Sequence, residues 1–97
     1  MNLLITVTGI SYYISSIELE PHQEIILKKD PTNKYDKEAI AVYINDTMQI
    51  GYVANSIHTV AKGTYSSGRL YDKMGETITA TIIVIIKDSA IASLTVD

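Results

Sequence analysis

Apolar and polar positions alternate with period two along most of this chain. In "NLLITVTG" (residues 2–9), Leu3, Ile5 and Val7 form one row and Leu4, Thr6 and Thr8 the other, a strand-like pattern rich in β-branched side chains. "QEIILKK" (23–29) predicts a second strand with Ile25 and Leu27 on one face, and "EAIAVYIN" (38–45) a third, with Ile40, Val42 and Ile44 alternating with Ala41 and Tyr43. Asn45, Asp46 and Thr47 predict a hairpin turn, because Asn and Asp tolerate turn geometry. "MQIGYVA" (48–54) returns as a fourth strand, in which Gly51 signals a bulge or a close approach by another backbone.

The period then changes. In "NSIHTVAKG", Ile57, Val60 and Ala61 recur at helical spacing, which predicts a short helix near residues 55–62. Asn55 or Ser56 would cap it, Gly63 would end it, and His58 would fall off its apolar face. "TYSSGRLYDKMG" (64–75) reads as loop. "ETITATIIVIIKD" (76–88) is a long fifth strand and "SAIASLTVD" (89–97) a sixth, with a turn at Lys87, Asp88 and Ser89. Both faces of "TIIVII" are apolar, so one should fill the interior and the other lie under the helix or a loop. Six strands with one or two short helices in 97 residues predict a mainly β, single-domain fold: a small antiparallel barrel of the oligonucleotide-binding or SH3-like kind.

The N-terminal residues carry no basic segment and only a short apolar run, so no signal peptide is expected. The most apolar stretch is too short to cross a bilayer as a helix. With no cysteine in the chain, a cytoplasmic protein without a membrane partner is expected. The net charge is -3, but it is unevenly spread. Residues 28–37 hold Lys28, Lys29, Lys34 and Lys37 against Asp30 and Asp36, whereas residues 18–24 hold Glu18, Glu20 and Glu24 with no basic residue. Such a patch can steer a ligand whatever the global sum. The lysines are expected to form an electropositive rim.

Catalytic material is sparse. His22 and His58 lie in segments without a partner motif, and no nucleophile elbow, metal-spaced His pair or Gly-rich phosphate loop is present. Neither enzymatic activity nor a cofactor is expected. All seven aromatic residues are tyrosine. Tyrosine buries a ring yet needs a partner for its hydroxyl, and exposed rings can stack on unpaired bases. The segment "DPTNKYD" (30–36) concentrates hydrogen-bonding side chains, and Asp36 is placed to cap the turn "DKEA".

Three blocks in order resemble the HIRAN domain family. They are "GISYY" (9–13) for its G-x-x-Y-Y signature, "KDPTNKYDKEAIAV" (29–42) for its R/K-D/E-P-x-N-x-Y-D-x-x-A-I-x-V block, and "QIGYV" (49–53) for its x-I/V-G-Y/H-V/L element. The resemblance implies a small barrel that binds DNA, and in the eukaryotic fused form single-stranded DNA with a free 3′ end. Carried onto matching positions, Tyr12 and Tyr35 would stack on or flank terminal bases, and Asn33 would bond a base edge. Asp36 would accept a hydrogen bond from the terminal 3′-hydroxyl, and Tyr13 and Tyr52 would reach phosphate or sugar. Ser11 and Asn55 complete the expected nucleic-acid-binding set; the eukaryotic DNA-binding members carry an arginine before the tyrosine pair and basic residues after the G-Y/H-V/L element. Fewer phosphate contacts imply a shallow salt dependence. Family members occur alone in bacteria and fused to Swi/Snf-type ATPases or nuclease domains, so a helicase-like or nuclease protein is an expected partner, in repair, replication-fork processing or mobile-element defence. The acidic balance supports an alternative reading, a protein-interaction or structural barrel without DNA binding.

Overall fold

The computed structural model describes residues 1–13 and 19–97. Glu18, of the acidic run, lies outside the described residues. Six strands form a closed antiparallel barrel: β1 (Asn2–Thr8), β2 (Glu24–Lys29), β3 (Ile40–Tyr43), β4 (Gln49–Val53), β5 (Thr77–Ile86) and β6 (Ser89–Thr95), in the spatial order β1-β4-β3-β2-β5-β6. Among the described residues, two short helices, α1 (Ile10–Tyr13) and α2 (Ser67–Tyr71), accompany them.

Strands β1, β2 and β3 turn a predicted row inward, and β4 and β5 add Ile50 and Ile82 to it. Leu3, Ile5, Val7, Ile25, Leu27, Ile40, Val42, Ile50 and Ile82 are buried in one cluster. Strand β6 contributes small side chains where its neighbours contribute large ones. Ala92 is in register with both Ile5 and Ile82, and Ala90 with Val7, so bulk is complementary across the ladders. At the turns, the Asn45 Oδ1 accepts from the backbone N–H groups of Thr47 and Met48, and Lys87 takes a positive φ of 52° between β5 and β6.

Gly51 combines both of its predicted signals. The β3–β4 register slips from Val42↔Gly51 to Tyr43↔Gln49, leaving Ile50 as a bulge residue. A Cβ on Gly51 would stand 2.4 Å from the carbonyl oxygen of Thr8, so β1 approaches β4 as only glycine permits.

Two expectations fail, each for a physical reason. Residues 55–62 form a single turn, not a helix. Ser56 O accepts from Thr59 and Val60 N–H, and Ser56 Oγ accepts from His58 N–H. The next N–H, that of Ala61, leaves the helical path and donates to Thr6 Oγ1 on β1. Thr64 Oγ1 donates to Ala61 O, so the buried Thr6 hydroxyl must donate to Thr64. This latch, with Tyr65 N–H donating to Leu4 O, covers the edge of β1 beyond its pairing with β4. Ile57, expected on an apolar face, is 92% exposed. The helix lies instead in the stretch read as loop: Ser66 Oγ caps α2 by accepting from Arg69 N–H, and the buried Leu70 joins the core. The second failure concerns β5. A bulge between Ile82 and Val84 turns Val84 outward opposite Ile91, and Ile83, Val84 and Ile86 are exposed rather than covered.

Candidate nucleic-acid interface

The polar loop between β2 and β3 is organised by Asn33. Its Oδ1 accepts from the backbone N–H groups of Tyr35 and Asp36, at 2.9 and 3.0 Å. Its Nδ2 donates to Asp30 Oδ2 and to the Tyr52 hydroxyl, both at 3.3 Å. Two donors and two acceptor sites are therefore engaged within the protein, leaving Asn33 no free valence for the base-edge contact that the resemblance assigns to it. The Tyr52 hydroxyl in turn donates its only proton to Asp30 Oδ2 at 3.2 Å, and so has none for a phosphate. Asp30, missing from the expected set, is thus the anchor that ties the loop to β4; its place in a dense polar block was the only signal for it.

Asp36 has two functions built into one carboxylate. Oδ1 accepts from Glu38 N–H at 2.9 Å, the expected turn cap, and Oδ2 accepts from Asn55 Nδ2 at 2.8 Å. Asn55 Oδ1 then accepts from Gly68 N–H of α2 at 2.9 Å. An ionised carboxylate offers about four lone-pair sites, so each Asp36 oxygen retains room for one more donor.

These groups converge on one cleft of about 330 Å³, lined by Asn33, Tyr35, Asp36, Tyr52 and Asn55, by the hydroxyl residues Thr8, Ser56 and Thr59, and by the apolar Ala39, Val53 and Ala54. Thr8, Ser56 and Thr59 are outside the expected binding set, since hydroxyl residues in strands and turns are commonplace. Tyr35 stands at the rim with its side chain 95% exposed.

Ser11, Tyr12 and Tyr13 do not line the cleft. They belong to α1, which Gly9 (φ 79°) allows to fold back directly after β1. Tyr13 meets Tyr52 edge-on at 6.2 Å between centroids, and Tyr12 meets Tyr13 at 5.5 Å, so an aromatic row leads away from the cleft. Tyr12 is 88% exposed.

Burial pushes the Tyr13 phenol above its ordinary pKa of 10.0, and the neighbouring Tyr52 adds to the rise. The folded state therefore holds this proton longer than the unfolded chain does. Its contribution to stability is complete below about pH 10 and is lost as pH rises through the folded value. In an ultraviolet titration of the folded protein, a late phenol ionisation is expected from Tyr13, and Tyr13→Phe should remove that late step. An unchanged curve in the variant would contradict the assignment.

The expected lysine rim is divided. Lys29 Nζ donates to Met74 O at 2.9 Å and lies 4.3 Å from the Tyr71 ring centroid, while Lys28 sits over Tyr43 at 5.9 Å. Lys34 and Lys37 remain exposed on the loop itself. Among the described residues, no group of three or more His, Asp or Glu side chains is arranged to hold a metal, and no helix is long and apolar enough to cross a membrane.

The fold is thus a small closed antiparallel barrel with a cleft beside the β2–β3 loop and an adjoining tyrosine row. The family model for the HIRAN domain matches residues 2–86, nearly the whole chain. The chain belongs to the HIRAN domain family, a family of DNA-binding modules. No curated protein and no solved structure matches it.

Proposed function

We propose that this HIRAN domain binds single-stranded DNA by its 3′ end, as a non-catalytic module. The observation that supports this most is the meeting, in one cleft, of a carboxylate with unused acceptor sites (Asp36) and an unburied aromatic ring (Tyr35). A carboxylate accepts from a terminal hydroxyl but repels a phosphate, so it can separate a free end from a blocked or continuing strand. The ring stacks on any base. Asn33, Asp30 and Tyr52 hold the loop in shape, Asn55 orients Asp36, and Tyr12, Tyr13 and Ser11 border the path of the preceding nucleotides. Such a module would serve a helicase-like or nuclease partner that generates or consumes strand ends, in repair, fork processing or mobile-element defence.

The test is fluorescence anisotropy with paired oligonucleotides that differ only in carrying a 3′-hydroxyl or a 3′-phosphate. Tighter binding of the hydroxyl form is expected, and equal affinity would overturn the proposal. In the same titration, Tyr35→Ala should weaken both ligands by the stacking contribution, about 1–3 kcal/mol. Its melting temperature should be unchanged, because the ring touches little of the protein.

A further inference from the structure

A second cleft, of about 230 Å³, adjoins the first and shares Asn55 and Ser56 with it. Its far wall carries Arg69, the only arginine in the chain, and its rim carries the exposed Ile57. The Arg69 guanidinium lies 4.1 Å from the Tyr65 ring centroid. A guanidinium stacked on a ring keeps the N–H groups at its edge available and has already lost much of its rotational freedom, which suits it to bidentate recognition of phosphate. The Arg69 backbone is also tied to the first cleft by short links: Asp36 to Asn55, Asn55 to the Gly68 N–H, and Gly68 to Arg69 in sequence. Lys29, by contrast, is engaged with Met74 and Tyr71, and Lys28 lies over Tyr43.

We propose that Arg69 holds a backbone phosphate of the strand whose end occupies the first cleft, so that the ligand is an end plus the nucleotides leading to it. This rests on the single-strand reading above. Arg69 supplies a cation from α2 beside the first cleft, and Ile57 gives the same nucleotides an apolar surface to lie against.

The experiment measures binding of a 3′-hydroxyl strand of about ten nucleotides, and of a dinucleotide, across a salt series. Arg69→Gln should flatten the log–log salt slope for the longer strand by roughly 0.7, one phosphate contact on a single strand. It should bind that strand several-fold more weakly at low salt and leave the dinucleotide and the 3′-hydroxyl preference unaffected. Arg69→Lys should restore most of the slope. The α2 cap uses the main-chain N–H of Arg69, so both variants should fold, which thermal melting checks. A wild-type slope and affinity in Arg69→Gln would overturn the Arg69 contact while leaving end recognition intact. If the wild type showed no end preference but Arg69→Gln still flattened the slope, end recognition would fall and the Arg69 contact would stand. No binding of any strand by the wild type would overturn both.

Discussion

Asp36→Asn is expected to abolish the preference for a 3′-hydroxyl over a 3′-phosphate while leaving the domain folded. The wild-type carboxylate acts on the two ligands in opposite directions. It accepts from the hydroxyl, a charge-assisted bond of about 1.5–3 kcal/mol, and it repels the phosphate. The neutral amide weakens the first effect and removes the second. The hydroxyl strand should therefore bind roughly tenfold or more weakly, and the phosphate strand as well as before or better. That opposite movement separates charge discrimination from general damage, which would weaken both ligands. The amide oxygen can still accept from Glu38 N–H, but an amide Nδ2 would face Asn55 Nδ2, where the carboxylate now accepts at 2.8 Å. Asn55 must turn, and Gly68 N–H then loses its acceptor. The stability loss should be about 1 kcal/mol, visible as a small fall in melting temperature. Full discrimination by a folded Asp36→Asn would rule out Asp36 as the reader of the end.

Gly51→Ala should damage the protein most, and it should do so through the backbone. The added Cβ would meet Thr8 O at 2.4 Å, a main-chain atom held by the pairing of Val7 with Val53 and Thr8 with Tyr52. Neither strand can yield without opening the β1–β4 seam, which is the shortest in the barrel. Overpacking typically costs about 1–3 kcal/mol, and against a main-chain atom the upper end is expected, a large share of the stability of a small domain. Urea unfolding should show a markedly lower midpoint, and the surviving folded fraction should bind poorly because Tyr52, next in sequence, is the post to which Asp30 and Asn33 are tied. Gly75→Ala is the matched control: nothing lies within 4 Å of its Cβ, and its midpoint should be close to wild type. Equal midpoints for the two variants would show that β1 and β4 tolerate separation.

The strands were legible because alternation is local. Which face of Leu3–Ile5–Val7 or Ile25–Leu27 turns inward follows from a period of two, and the same rows fill the barrel. The Asn45 turn and the glycine in β4 were legible for the same reason, since each needs only its own backbone chemistry. The candidate cleft was legible in part, at Asn33, Tyr35, Asp36, Tyr52 and Asn55, because the "DPTNKYD" block is dense in hydrogen-bonding groups and the blocks match a family pattern, whereas Ser11, Tyr12 and Tyr13 lie outside it. Tertiary structure decided what each of those groups is free to do. Asn33 and Tyr52 lie nineteen positions apart, and only the β3–β4 hairpin brings them together to satisfy one another, which leaves Asp36 and Tyr35 open. The sequence around residues 55–62 has helical spacing, yet the fate of that turn rested on one hydroxyl fifty-five residues away, when Thr6 captured the Ala61 N–H that a helix needed. Arg69 had no periodic context to single it out. Its place beside the cleft exists because Leu70 is buried in the core and Gly68 is bonded to Asn55, which together set α2 against the cleft at the β2–β3 loop. Local pattern determined the elements and their faces, whereas competition among distant donors and acceptors determined which side chains are fully satisfied within the protein, as Asn33 is, and which keep spare acceptor sites or an open face, as Asp36 and Tyr35 do.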